Sequence, residues 1–374
     1  MDKKKIVFLT GTRADFGKQK SLIEITSKSK NFETHIFITG MHMLTKYGAT
    51  SFEVESCGFK NTYQFINQTH HDSMDCILAK TIEGFSHYVQ EIKPDLIVVH
   101  GDRVEALAGA IVGSLNNILV AHLEGGELSG TVDELIRHAV SKLSHVHLVA
   151  NHQAEKRLIQ MGEHKDSIFI IGSPDIDIME SDKLKSLSFV KKRYGIKFNK
   201  YAILIFHPVT TEIASVSCQA NNITDAVIDS GSNFVVIYPN NDFGSDLILN
   251  VYKKLDGNAR IKVFSSIRFE YFIILLKNAQ FILGNSSSGI REAPYFGIPT
   301  INIGSRQNSR ALSKEIIHCG YSKSEIITAI DLAKNIKVNK TMHFGSGKSD
   351  KFFIKLLNSG KLWRIAKQKL FCDL

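Results

Sequence analysis

The stretch "DLIVVHGDRVEALAGAIVGSLNNILVAHLEGG", residues 95–126, decides the fold. "DLIVVHG" is a short apolar, β-branched run, "EALAGAIVGSLNN" carries its apolar residues at helical spacing, and "ILVAHLE" is a second apolar run. Strands that are apolar without alternation are buried on both faces, as in a parallel sheet covered by helices. The same alternation extends in both directions. "KIVFLT", "THIFIT", "HVHLVA" and "IFIIG" complete six runs in the first half. "YAILIFHP", "NFVVIYPN", "IKVFS", "AQFILGN" and "TINIG" make five more in the second. A basic, polar interval at about 178–200 separates the two sets. The expected fold class is therefore α/β: two Rossmann-like doubly wound domains, residues 1–178 and 190–358, with a central cleft and a terminal tail or helix at 359–374.

The chain has 374 residues, 43% hydrophobic and 22% charged, which suits two domains better than one core. Its apolar runs are far shorter than the ~20 residues of a membrane span, and "MDKKKIVFLTGT" turns too early to be a secretory signal. Five scattered cysteines (Cys57, Cys76, Cys218, Cys319, Cys372) without C-x-x-C spacing suggest reduced thiols in a cytoplasmic protein, with no structural zinc. The formal charge is +9. Seven Lys/Arg without an acid lie between Lys183 and Lys200, and seven more face two aspartates from Lys348 onward. These stretches sit where a linker and a terminal tail are expected, so a solvated basic face is preferred to a nucleic-acid patch. The excess also suits an anionic small substrate.

Ligands of open α/β sheets bind where strands exit into helices. The first exit, "TGTRADFGK", offers a glycine turn, Arg13 and Gly17 to an anion, although it is neither a Walker A loop nor G-x-G-x-x-G. The exit "VVHGDRVEAL" crowds His100, Asp102, Arg103 and Glu105, with Asp102 readable as a base or as a helix N-cap. "AHLEGGELSGTVDELIRH" is the densest, with His122, Glu124, Glu127, Asp133 and Glu134 in one loop. It lacks metal-ligand spacing, so acid/base chemistry is the preferred reading. In the second half His207, Asn240 and Arg268 end strands. "GNSSSGIREAP", residues 284–294, sets Ser286, Ser287 and Ser288 at a helix start as an anion nest, with Glu292 placed to accept from ribose hydroxyls.

Taken together, "TGTRADFGK", "TGMHM", "HGDR.EALA", "HLEGGELSGTVDELIRHAVSKLSH", "FHPVTTE", "SIRFEYF", "GNSSSGIREAP" and "GSRQNSR" resemble the hydrolysing UDP-N-acetylglucosamine 2-epimerases over residues 4–320. The resemblance implies the two-domain arrangement of many sugar-nucleotide glycosyltransferases (GT-B-like), a homodimer or dimer of dimers, and a UDP-sugar substrate. It also implies no cofactor, nucleic acid or membrane. The implied reaction turns UDP-N-acetylglucosamine and water into N-acetylmannosamine and UDP through a glycal, as a first step towards sialic acid. Asp102, Glu124 and Asp133 match the family's catalytic carboxylates, with Glu127 able to share the role of Glu124. His207 matches the family's diphosphate-side histidine. Arg13, Ser286, Ser287 and Glu292 match nucleotide-holding positions, with Arg268 and Arg306 as further carry-overs. The same chemistry on a UDP-linked 2,4-diacetamido-trideoxyhexose or on GDP-N-acetylglucosamine, for legionaminic acid, is the alternative. A two-domain glycosyltransferase is a further one, against which the carboxylate-rich loop argues.

Overall fold

The computed structural model describes residues 3–69, 72–129, 132–307, 315–370 and 372–373. Gly130 and Thr131 of the carboxylate-rich loop, and residues 308–310 of "GSRQNSR", lie outside the described residues. Two compact units are present, one of residues 1–127, 133–181 and 343–374, the other of residues 128–132 and 182–342.

The first unit holds seven parallel strands, β1 (Lys4–Thr10), β2 (Phe32–Ile38), β3 (Asn61–Gln64), β4 (Leu96–His100), β5 (Leu119–Leu123), β6 (Val146–Val149) and β7 (Ile168–Ile170), in the order β3-β2-β1-β4-β5-β6-β7. The second holds β8 (Ala202–Ile205), β9 (Phe234–Ile237), β10 (Ile261–Phe264), β11 (Ile282–Gly284), β12 (Thr300–Ile303) and β13 (Ile317–Cys319), ordered β10-β9-β8-β11-β12-β13. Every apolar run became a strand, and the central ones are covered on both faces; Leu96, Ile97, Val98 and Val99 are all fully buried. Helix 104–115 lies so close to its sheet that a Cβ on Gly113 would stand 2.3 Å from Val120 Cγ2. The strand order reverses between β1 and β4 and again between β8 and β11. These are the topological switch points at which open α/β sheets bind ligands.

Two strands were not expected. β3 and β13 are sheet edges, short and only partly buried, so neither needs an apolar run. The basic interval also differs from a linker. Ser186 caps a helix at Leu187–Tyr194, and Lys191, Lys192 and Arg193 fall in its last turn, where the helix dipole favours cations. The helix is anchored by Phe189 and Tyr194 against Tyr271 at 6.1 and 6.0 Å.

The end of the second domain is corrected as well. Residues 343–358 belong to the first unit, although sequence order assigned them to the second. Helix Ser349–Asn358 buries Phe353 and Leu357 with Phe8, Ile23 and Val98, and Leu362 follows them in. Each such side chain stabilises the core by roughly 1.5–3 kcal/mol. Asp177 accepts from the N–H groups of Ser349 (2.8 Å) and Asp350 (2.9 Å), fixing where this helix starts. Trp363 stacks on Phe32 at 6.2 Å. The tail's basic residues have protein partners too. Lys369 Nζ donates to the carbonyls of Ser141, Lys142 and Ser144 (3.2, 2.9 and 2.7 Å) and to Glu163 Oε2 (2.6 Å), closing the last turn of helix 132–143. No helix among the described residues is long and apolar enough to cross a membrane.

Candidate active site

In the first unit the exits of β1, β4, β5 and β7 converge on one imidazole. Thr12 caps helix 13–27 through Asp15 N (3.0 Å), which turns Asp15 back so that it accepts from Gly11 N (2.9 Å) and Gln19 Nε2 (2.7 Å). Asp15 Oδ1 then faces His100 Nδ1 at 2.9 Å, and His100 Nε2 faces Glu124 Oε2 at 3.2 Å. Ser173, buried after β7, donates to Glu124 Oε1. Burial opposes a charge on His100, but Glu124 and Asp15 outweigh it and raise its pKa from 6.5 to about 9. Burial likewise opposes the charge of Asp15, and the His100 contact reverses this to hold it below the usual carboxylate range. Glu124 sits at φ +65°, a left-handed conformation costing a side-chain-bearing residue about 1–2 kcal/mol.

Asp102 is organised differently. It is not the N-cap; Arg103 occupies that position and no side chain caps the helix. The Asp102 carboxylate instead pairs with the buried guanidinium of Arg137 on helix 132–143. Asp133 lies one turn before Arg137 on the same helix, so a single element carries Asp133 and anchors Asp102. His122, fully buried on β5, donates from Nε2 to Gly101 O (2.9 Å) and accepts from Ser141 Oγ (3.0 Å). Burial keeps it neutral, with a pKa lowered to about 3. It fixes the Gly101–Asp102 turn.

In the second unit one asparagine joins the two central exits. Asn285 is fully buried, accepts from His207 N (2.7 Å) and donates to His207 O (2.8 Å). Its own carbonyl accepts from Arg306 Nη1 (3.3 Å) and Gln307 Nε2 (3.0 Å). His207 Nδ1 accepts from Asn240 N at 3.1 Å, so the exits of β8, β9, β11 and β12 form one bonded set. Gly284 must be glycine: its φ is +127° and a Cβ would fall 1.9 Å from Ile205 O. Glu212 ties the loop after β8 outward, accepting from Ser305 Oγ (2.6 Å), Tyr321 Oη (2.9 Å) and Gln219 Nε2 (2.9 Å).

The Epimerase_2 profile, described as UDP-N-acetylglucosamine 2-epimerase, matches residues 24–358. The chain belongs to this epimerase family. The Neisseria meningitidis serogroup B UDP-N-acetylglucosamine 2-epimerase is 48% identical over 99% of both chains. A Legionella pneumophila UDP-N,N'-diacetylbacillosamine 2-epimerase (hydrolyzing) is 35% identical over 95% of this chain and 96% of its own. The Methanocaldococcus jannaschii UDP-GlcNAc 2-epimerase, solved with UDP-GlcNAc and UDP, has a TM-score of 0.79 at 24% identity, covering 95% of this chain and all of that one, a likeness of fold.

Within this epimerase chain the sequence-derived site divides unevenly. Asp102 and Glu124 stand at neighbouring strand exits, each with a cationic partner. His207, Asn240 and Arg306 are joined through Asn285. Ser286 caps a 3-10 turn, Ser287–Gly289, by accepting from Ser288 N (3.3 Å), so the nest is a tight turn and not the start of a long helix. Glu292 opens a five-residue helix and is 1% exposed. Arg268 forks onto Glu270 (Nε–Oε2 3.1 Å) and lies 5.7 Å from the Tyr271 ring. Arg13 pairs with Glu53, and Arg103 Nε lies 3.4 Å from Glu105. Gly17 is corrected: the loop ends at Thr12, and Gly17 is buried inside helix 13–27, where backbone N–H groups are used by the helix itself. Sequence reading left Asp15, Ser173, Arg137 and Asn285 unassigned. Arg137 had a signal, lying one helical turn beyond Asp133; Ser173 had none.

Proposed function

We propose that the protein hydrolyses UDP-N-acetylglucosamine to N-acetylmannosamine and UDP with inversion at C2, supplying a sugar for sialic acid, and that it works as a homodimer or dimer of dimers. The observation that carries this reading is the pair of carboxylates, half-buried Asp102 and buried Glu124, held at adjacent strand exits in two different electrostatic settings. Two carboxyl groups with unlike surroundings are what proton removal and proton return at one carbon require. Family membership supports the substrate class, and "HLEGGELSGTVDE" supports the hydrolysing course.

A C2 proton beside an acetal carbon is weakly acidic, so its loss is coupled to departure of UDP from C1. The electron pair of the C2–H bond forms the C1=C2 bond of a glycal while that of the C1–O bond leaves on the diphosphate. Water then adds at C1 and a proton returns to C2 on the opposite face. In this reading Asp102, Glu124 and Asp133 handle the protons. His207 and the Ser286–Ser288 turn hold the diphosphate, Arg13, Arg103, Asn240, Arg268 and Arg306 add polar or cationic contacts to the nucleotide, and Glu292 accepts from the ribose. Donors fixed beforehand around the departing charge lower the barrier most.

The test is turnover in heavy water. Free N-acetylmannosamine carrying deuterium at C2, with UDP in equal amount, is expected; product without the label overturns the mechanism. The Legionella relative makes a donor panel necessary. Preference for a UDP-linked 2,4-diacetamido sugar or for GDP-N-acetylglucosamine keeps the chemistry and moves the substrate.

A further inference from the structure

We infer that the first unit carries a second ligand site, one that takes a phosphate group, at the edge of its sheet opposite to the strand exits. It is a cavity of about 710 Å³ between the segment leading into β7, residues 162–169, and the end of the chain, residues 361–370. Parallel strands all enter at one edge and leave at the other. β7 begins at Ile168, and His145, which also lines the cavity, directly precedes β6. The cavity therefore lies at the far end of the strands from Asp102 and Glu124, and the inference does not depend on the proposed reaction.

The walls are fixed by the chain itself. His145 is buried, accepts from Val120 N (3.1 Å) and donates from Nε2 to Lys367 O (2.9 Å), which ties the end of the chain to the sheet. Trp363 donates to Leu357 O (2.8 Å) while it stacks on Phe32. Phe169 and Ile365, one from each wall, pack against the core of the unit and give the cavity an apolar side. Its volume falls in the range of about 300–1,000 Å³ usual for small-molecule sites.

Charge supplies the ligand class. Lys165, Lys361, Arg364 and Lys369 line the cavity against Glu155, Glu163 and Asp166. Lys369 is committed to Glu163 (2.6 Å), which Lys142 from outside the cavity also reaches (2.9 Å). Glu155 faces His152 Nδ1 at 3.0 Å. With the histidines neutral and Lys142 included, positive charges exceed negative by two. Among the described residues, the side chains of Lys165, Lys361 and Arg364 make no ion pair or hydrogen bond. Arg364 ends the 3-10 turn Leu362–Arg364 that Lys361 caps, and residues three apart on such a turn lie one above the other. Lys165 opens a second 3-10 turn, Lys165–Ser167, on the other wall. A phosphomonoester, with a charge of about −1.5 to −2 at neutral pH and oxygens that suit an arginine fork, matches this excess. A nucleoside monophosphate would set its phosphate on the cations and its base against Phe169 and Ile365. A free phosphate would use the cations alone.

The test uses the full-length protein and reads Trp363, the chain's single tryptophan, which stands between Lys361 and Arg364. Fluorescence is followed at low salt during titration with AMP in one arm and inorganic phosphate in the other. A saturable change is expected in both. Tighter binding of AMP assigns the site to a phosphomonoester, and equal binding assigns it to free phosphate. Lys361 and Arg364 are exposed, so K361Q/R364Q should fold and turn over UDP-N-acetylglucosamine as wild type does. The same variant should bind AMP about tenfold or more weakly, as loss of a charged contact implies. K165Q should weaken binding from the opposite wall. Urea unfolding gives a reading that does not depend on fluorescence: ligand should raise the wild-type midpoint and raise that of K361Q/R364Q much less. No saturable change together with an unmoved wild-type midpoint overturns the inference. So does AMP binding that K361Q/R364Q and K165Q leave at full strength, because the nucleotide then sits elsewhere.

Discussion

Replacing Asn285 with alanine should do more damage than any serine change in the neighbouring turn. The side chain holds the backbone N–H and C=O of His207 at 2.7 and 2.8 Å, and Asn285 is fully buried. Alanine leaves both His207 groups without these partners. A buried polar group stranded in this way costs about 1–3 kcal/mol, so the pair costs roughly 2–6 kcal/mol, less whatever an entering water restores. Asn285→Asp separates the two halves. Aspartate still accepts from His207 N but turns a second acceptor towards His207 O, so it retains one contact and adds a repulsion. We expect urea unfolding of the second unit to show the Asn285→Ala midpoint well below wild type, with Asn285→Asp no better at neutral pH and partly recovered as the carboxyl protonates. UDP binding by calorimetry should weaken with both, because His207 and Asn240 hang from the same asparagine. An alanine variant within about 0.5 kcal/mol of wild type, the ordinary range of a surface change, with UDP affinity intact, would falsify the clamp.

Three further outcomes follow from the same coordinates. Gly284→Ala should yield little folded protein, since its Cβ would stand 1.9 Å from Ile205 O; soluble protein with wild-type melting refutes the close approach. Lys369→Met should destabilise the first unit by about 1–3 kcal/mol, by leaving three helix-end carbonyls without their donor and buried Glu163 with Lys142 as its remaining lysine partner; an unchanged urea midpoint argues against the latch. The pH dependence of stability has two arms. His100, raised to about 9, contributes stability that is complete below pH 6.5 and is lost as pH climbs through 9. His122 and His42, lowered to about 3 and 4, work oppositely: burying them neutral is fully tolerated above pH 6.5 and destabilises as pH falls towards those values. Unfolding free energy measured from pH 4 to 9.5 should therefore be highest near neutrality, and His100→Gln should flatten the alkaline arm alone.

What was legible in the chain was what repeats locally. "LIVV" and "AILI" announce parallel strands because burial on two faces leaves no polar position, and helix 104–115 follows from its spacing. The edge strands β3 (NTYQ) and β13 (IHC) escaped because a partly covered edge does not require an apolar run, whereas the edges β7 and β10 carry one. The exits at Asp102, Glu124 and His207 could be picked out because polar residues directly after a buried strand need a reason to be there. Gly17 misled because glycine within a helix looks, in sequence, like glycine in a turn.

The sequence by itself determined the α/β class, the strand exits and the residue types standing at them, since hydrophobic period and turn chemistry act over a few neighbours. Which side chains meet was decided only by the tertiary structure. Asp15, His100, Glu124 and Ser173 lie up to 158 positions apart and come together because four parallel strands end at one edge of a sheet. Helix Ser349–Asn358 completes the first unit's core from the far end of the chain. Long-range partners leave no local period, because burial rewards any apolar face that fits and a hydrogen bond requires only that its two ends arrive together.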